Sequence, residues 1–406
     1  MNLERRDFLR LLSTCAGATV LDACLDTGGS VGPRDSMPPV TNQDLQAVCD
    51  TANTVTLSDM VVSAHPWPDG LDAAALIDVD DFCPVTLPGD GLDFGGDLTI
   101  DGTLRGFLID ELTATYPEVK VNLMTIANMR QNPLTRTAIA DDDRYLLSRQ
   151  PAWIEAVRGV LNQYPRVRIA MHGYWHFNYQ QRSANEFAQY TDLQARAVMS
   201  TMHRVFLNVL PTVEPVFRAP GWVSTPGVLE YLAQAGLLLA DSSGTATFQS
   251  SVPSCWRGAP GLDVVRAGPD FTEGVVKELA NAALIVGHYH FTAPNVYNLG
   301  GDLGRQSALN FALGIRKITK YRIGWMSYHE AARSVALVRA LRWSAALEGN
   351  TLVITLDPAG TPIGGQTLAV QNLGGRDLAV ETPLGDPVPF NAIGSNRGCT
   401  YVVMTS

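Results

Sequence analysis

Between Ala73 and Met326, short apolar runs of strand length alternate with stretches of helical periodicity, and most of the runs stop at an ionisable side chain. Alternation of this kind buries both faces of a parallel sheet, which predicts an α/β fold, a distorted (β/α) barrel of about seven or eight strands. Ala73–Phe82 (AAALIDVDDF) ends in Asp78, Asp80 and Asp81. The run 120–129 (KVNLMTIANM) follows, then a helix over Pro151–Tyr164 with Trp153, Val157, Val160 and Leu161 on one face. Val167–Met171 leads into His172 and His176, and a long amphipathic helix is predicted over 184–210. Pro215–Trp222 carries Arg218, Pro226–Ala235 reads as a helix, and Gly236–Ala240 runs into Asp241. Leu262–Ala267, Ala282–Phe291 with His288 and His290, a helix over Ser307–Ile318 and the strand Tyr321–Met326 complete the set. The carboxyl ends of barrel strands form the mouth, so Asp80, Asp81, His172, His176, Arg218, Asp241 and His288 are expected to share one pocket.

His172 and His176 stand in AMHGYWHF, just past an apolar run. On a continuing strand they would lie roughly 13 Å apart, at about 3.3 Å per residue, too far to hold one ion. Convergence needs a curl after Met171, and Gly173 permits one. Two neutral imidazoles with a carboxylate and an open position make a catalytic zinc-type shell; the competing reading is a pair of histidines on a loop rim. Three carboxylates at one strand end repel unless a cation or protons relieve them. A calcium loop is another reading of the acidic region, since Asp90, Asp93 and Asp97 follow in a Gly-rich segment. His65 and His203 are read as structural or packing residues.

The chain of 406 residues has room for one large domain and a small appendage. Its net charge of −10, with no Lys/Arg cluster beyond the first ten residues, argues against nucleic acid as a partner. Arg5-Arg6-Asp7-Phe8-Leu9-Arg10 matches a twin-arginine export pattern, and a weakly apolar run over Leu11–Ala23 follows it. Leu21-Asp22-Ala23-Cys24 resembles a lipoprotein box, so the expectation is export to the periplasm or cell surface with either lipidation at Cys24 or ordinary signal cleavage. Residues 27–39 have the composition of a tether. Cys49, Cys83, Cys255 and Cys399 would then remain, an even number that permits disulfides without selecting a pairing. From about Glu348 the helical periodicity gives way to short alternating runs separated by Gly, Pro and Asn turns, read as a small β-sandwich. The expected domains are therefore 1–39 (signal and tether), 40–345 (barrel) and 346–406 (sandwich). The sandwich is assigned a packing or spacing role, because only Phe390 and Tyr401 could stack on a sugar.

Over Ala73–Met326 these ordered motifs resemble the polysaccharide deacetylase (NodB-homology) family, as a divergent member. The resemblance implies Asp80 as catalytic base and Asp81, His172 and His176 as metal ligands. It also implies Arg218, in Arg-x-Pro with Pro220, as the residue holding the base. The general acid falls on His288 or His290, and Trp222, Trp175 and Asp241 are the implied substrate contacts. A divalent metal is implied, most often Zn2+, with Co2+ or Ni2+ as alternatives, and the partner is an acetylated polysaccharide. Two departures stand out: Phe82 occupies the place of a small residue, and the Trp expected beside Asp241 is missing. They keep open a catalytically silent, surface-anchored glycan-binding protein. A mononuclear iron oxygenase also uses two His and one carboxylate, but on His-x-Asp spacing that this chain lacks.

Overall fold

A computed structural model describes residues 54–87, 92–93, 95–96, 98, 111–132, 137–139, 142–210, 212–241, 255–256, 259–263, 265–267, 284–290, 305–357, 363–395 and 398–405. The export signal, the tether, Cys49 and the acidic positions Asp90 and Asp97 lie outside the described residues. Among the described residues no helix is long and apolar enough to cross a membrane.

The chain enters through a hairpin, β1 (Thr54–Leu57) and β2 (Met60–His65), and then forms β3 (Ala73–Phe82). The sheet around β3 is built from β4 (Val121–Thr125), β5 (Val167–Met171), β6 (Val216–Phe217), β7 (Leu238–Asp241), β8 (Ala259–Asp263), β9 (Val265–Ala267), β10 (Leu284–His290) and β11 (Ile323–Trp325). All of these pairings are parallel: β3 joins β4, β4 joins β5, then β6, β7 and β8 follow in order, while β10 flanks the other side of β3. β8 pairs with β7 and β9 with β10, so the segment Ala259–Ala267 brings the two edges of the sheet toward each other. The result is a curled parallel sheet with helices on its outer side.

Period-two alternation sorts the side chains. In β3, Ala73, Ala75, Ile77 and Val79 join the large outer core, together with Leu123, Ile169, Phe217 and Ile285 from neighbouring strands. Ala74 and Leu76 face inward and meet Met124, Ala170, Val216, Leu238 and Val286 in a separate inner core. Continuing the inward phase by two residues at a time reaches Asp78 and Asp80 in β3 and His288 in β10. The step past each strand end reaches His172 after β5 and Arg218 after β6. The inner face is therefore apolar at its base and ionisable at its top.

The outer core is closed by helices whose apolar stripes match the spacing read from sequence. Helix α1 (Pro151–Gln163) starts on Pro at its first turn and buries Trp153, Ile154, Val157, Val160 and Leu161. Helix α2 (Asp192–Val209) begins at a Thr191/Gln194 capping box, eight residues later than the expected start, because 186–189 form a separate 3-10 turn. Helix α3 (Pro226–Ala235) ends on Gly236 at φ 67°, the left-handed cap that glycine favours. His203 on α2 meets the Tyr231 hydroxyl on α3 at 3.0 Å, a packing contact. Helix α4 (Arg305–Lys317) lays Phe311 over β10, where a Cβ on Gly287 would approach its ring to 2.8 Å.

One helix was not anticipated. After β11 the chain forms α5 (Tyr328–Ala340), capped by Ser327 and Glu330 in a reciprocal box, and Tyr328 enters the inner core. Beyond it lie β12 (Arg342–Glu348), β13 (Thr351–Asp357), β14 (Thr367–Gln371), β15 (Asp377–Glu381), β16 (Phe390–Gly394) and β17 (Cys399–Met404). They make a three-stranded sheet, β12-β13-β15, and a five-stranded sheet, β1-β2-β14-β17-β16, that share one apolar core. β12 starts at Arg342, a few residues ahead of the expected boundary at 346, and the N-terminal hairpin pairs into the C-terminal sheet rather than the barrel. Sequence position hid this because β2 and β14 are some three hundred residues apart and their pairing leaves no local signature. His65, at the end of β2, is structural as expected, with Nε2 2.6 Å from the Leu71 carbonyl and its ring against Tyr401.

Candidate metal and catalytic site

Two backbone departures assemble the site. In a regular strand Asp80 and Asp81 would point to opposite faces. Asp81 adopts φ 59°, and the β3–β4 register slips between Val79 and Phe82. The slip turns Asp81 to the same side as Asp80 and hands Phe82 to the outer core, where its ring lies 5.1 Å from Trp153. A non-glycine residue held in this conformation costs on the order of 1–3 kcal/mol, which the surrounding structure must offset.

The second departure is the curl after β5. The His172 amide donates to the Thr125 carbonyl at 2.7 Å, Gly173 turns at φ 91°, and His176 sits at φ 56°. A Cβ on Gly173 would come within 2.4 Å of Pro220 Cγ and 2.7 Å of Glu186 Oε2. Glu186, wholly buried, accepts the amides of Tyr174 at 3.0 Å and His176 at 2.9 Å, which holds the turn from inside. The ring centroids of His172 and His176 end 5.0 Å apart, in place of the roughly 13 Å that an extended strand would impose.

Asp81, His172 and His176 thereby bring donor atoms within 4.8 Å of one another, all buried. His176 Nε2 is 2.9 Å from Asp81 Oδ1, and His172 Nε2 is 3.6 Å from the same oxygen. His172 Nδ1 lies 3.1 Å from the Arg218 carbonyl, which places its proton there and leaves Nε2 with a lone pair toward Asp81. Burial lowers the His172 pKa to about 4 against the pull of Asp80, so the ring is neutral at pH 7 and suited to a cation rather than to an ion pair. Burial also works to lower His176, but the adjoining Asp81 carboxylate outweighs it and the net direction is upward. One carboxylate and two imidazoles on a curled loop fit a divalent cation with positions left for water and substrate.

Beside this donor set is a second one, Asp78, Asp80 and His288. Asp80 stands between the two: its Oδ2 is 3.5 Å from His172 Nε2 and 3.4 Å from His288 Nε2, while its Oδ1 accepts Arg218 Nη1 at 3.0 Å. Arg218 is completely buried and forks, pairing through Nη2 with Asp78 and touching the Tyr328 hydroxyl. Burial pushes both Asp78 and Asp80 upward, yet both end below the usual carboxylate range. Arg218 and His288 hold Asp78 down, and His172, His288 and Arg218 hold Asp80 down. A guanidinium already occupies Asp78, so this second cluster is poorly disposed to take a metal ion of its own.

Asp80, Asp81, His172, His176, Arg218 and His288 are therefore drawn together from strands spread over some two hundred positions. The side chains of Trp222, Asp241 and His290 lie outside the described residues. Trp175 is placed in the wall behind the histidine turn, 7% exposed, with the Arg130 guanidinium 4.4 Å from its ring and Tyr179 edge-on, which leaves little face for a sugar. Phe82 is not in the pocket. Sequence reasoning noted Asp78 without giving it a role and passed over Glu186 and Tyr328. The Ser327-x-x-Glu330 box would have flagged a helix starting at Tyr328. Nothing local marks Glu186. Cys83 is buried and Cys399 half-buried, and neither is in a disulfide.

No protein-family model matches the chain. No curated protein matches it either. Among solved structures, a Mycobacterium smegmatis protein assigned as a polysaccharide deacetylase is 14% identical, with a TM-score of 0.42 over 71% of this chain and 94% of that one. A family 4 carbohydrate esterase from Streptomyces lividans in complex with acetate is 10% identical, with a TM-score of 0.31 over 61% and 89% of the two chains. A CE4 family pseudoenzyme from Bacillus anthracis is 10% identical, with a TM-score of 0.33 over 62% and 63%. At these scores the likenesses assign no residue and no activity to this chain.

Proposed function

We propose that the protein is a divalent-metal-dependent hydrolase that removes acetyl groups from an N-acetylated, or O-acetylated, polysaccharide of the cell envelope or extracellular space. The observation that carries the reading is the position of Asp80 between a two-histidine, one-carboxylate donor set and a third histidine, His288. When bound by Asp81, His172 and His176, a divalent cation such as Zn2+, Co2+ or Ni2+ would polarise the acetyl carbonyl and acidify water. Asp80 is held ionised by Arg218 and is placed to take the proton of an attacking water. His288 lies across from it, with Nε2 on the same side, and is placed to protonate the leaving amine or alkoxide. Arg218 fixes Asp80 so that the carboxylate does not swing away from either partner.

The silent, glycan-binding reading drew on Phe82 and on the missing Trp beside Asp241. The outward turn of Phe82 removes the first of these reasons. Export by the twin-arginine route, lipidation at Cys24 and an acetylated glycan as partner belong to the same proposal. They rest on the motifs in residues 5–24 and on the pocket chemistry.

Acetate release from a panel of acetylated glucosamine oligomers, acetylated xylan and native envelope glycans, with and without chelator, tests the reading. Release that is abolished by chelator, restored by metal and lost in Asp80→Asn and His172→Ala supports it. Glycan binding with no metal-dependent acetate release on any substrate sinks it in favour of the silent reading.

A further inference from the structure

The acid histidine needs a partner on its far nitrogen, and the strand register supplies one from an unassigned position. Parallel pairing sets His288 opposite Asp78. Both face the inner side of the barrel, and His288 Nδ1 lies 2.7 Å from Asp78 Oδ1. Arg218 Nη1 lies 3.0 Å from the same nitrogen, and the two contacts ask for opposite things of it. A carboxylate at 2.7 Å requires a proton on Nδ1, whereas the guanidinium already has Asp80 to donate to, so the Asp78 contact decides the ring state. The other Asp78 oxygen accepts the Tyr328 hydroxyl at 2.6 Å and pairs with Arg218 Nη2. Asp78 is wholly buried and gripped on both oxygens, so it cannot rotate away from His288. With Nδ1 fixed in this way, Nε2 points toward Asp80 and the metal donor set.

We propose that Asp78 is the positioning residue for the acid His288, locked in turn by Tyr328, so that β3 supplies the base, a metal ligand and the acid's partner. The proposal rests on the deacetylase reading. In the step concerned, the water oxygen bonds to the acetyl carbon and its proton passes to Asp80. The carbon–nitrogen bond then breaks with its electrons going to nitrogen, which takes the Nε2 proton of His288. Acetic acid, which keeps the second water proton and ionises in solvent, leaves with the free amine, and exchange with solvent returns the proton to His288 and removes it from Asp80. Asp78 touches neither substrate nor reacting atoms.

A leaving group that departs without a proton separates this role from a structural one. Asp78→Asn should lose at least about 100-fold more kcat on an acetamide substrate than on an aryl acetate, whose phenolate leaves unaided. Tyr328→Phe keeps every charge and should show the same split, smaller in size. Equal losses on the two substrates would overturn the proposal. Nitrogen-15 NMR of the metal-loaded protein reads the ring directly, and it carries the test should Asp78→Asn not fold. The wild type should show a strongly hydrogen-bonded Nδ1 proton on His288 that Tyr328→Phe weakens, and an unprotonated Nδ1 overturns the assignment. If the wild type hydrolyses no acetylated substrate, the deacetylase reading falls while the NMR result still decides the Asp78–His288 pairing.

Discussion

Gly173 is the residue at which backbone freedom and site geometry meet. Its φ of 91° is in the region that favours glycine, and a methyl group there would collide with Pro220 and with the carboxylate that holds the turn. Gly173→Ala is expected to cost about 1–3 kcal/mol and to weaken cation retention at least tenfold, as read by competition with a chelator. Retention equal to wild type would show that the curl does not depend on this residue. Phe82 makes the opposite case. Its ring fills the outer core against Trp153 and Gly95, so Phe82→Leu should lower stability by about 1 kcal/mol and leave kcat of the folded protein as it was. A changed substrate range in that variant would place the ring in the pocket after all. Both residues were visible in the sequence; their orientation was not. Strand alternation predicts Phe82 on the inner face with Asp80, and only the left-handed turn at Asp81 reverses it.

At the level of elements, the start of α5 ties the barrel base to the site. Ser327 accepts the Glu330 amide and Glu330 returns the bond, which sets Tyr328 at the first turn with its hydroxyl on Asp78. Glu214, just before β6, accepts the His329 amide within the same turn, and burial raises its pKa to about 7. A carboxyl group whose folded pKa lies above its unfolded value of 4.5 favours folding fully below pH 4.5 and loses that contribution as pH rises to 7. Glu214→Gln should therefore match the wild type in stability near pH 4 and exceed it by about 3 kcal/mol at pH 8. Denaturant titration at the two pH values checks this, and a difference that does not change with pH would contradict it. The helices α1 and α3 and the strands of the inner face were legible because their apolar periods are local. Helix α5 was missed although its capping box stands in the sequence. The N-terminal hairpin was missed for a different reason, since its partner strand lies at the other end of the chain.

Across the whole molecule, a buried carboxylate is one of the links between the C-terminal sheets and the barrel. Asp72 accepts Ser395 at 2.8 Å, Tyr401 at 3.1 Å and the Arg322 amide at 2.9 Å, linking the chain just before β3 to the last strands. Asp72→Ala should lower stability by about 3 kcal/mol and split the thermal transition into two, read by calorimetry, with the C-terminal sheets cleaved first in limited proteolysis. A single unshifted transition would show that the interface holds without it. The sequence by itself determined the parallel strand–helix order and the inward phase of Asp78, Asp80, Arg218 and His288, together with the histidine spacing. All of these follow from periods of two and 3.6 residues and from where apolar runs stop. Only the tertiary structure decided which atoms meet. The register slip at Asp81, the curl through Gly173 braced by Glu186, and the entry of Tyr328 beneath Asp78 each depend on contacts between segments distant in the chain, and no local pattern of side chains encodes such contacts.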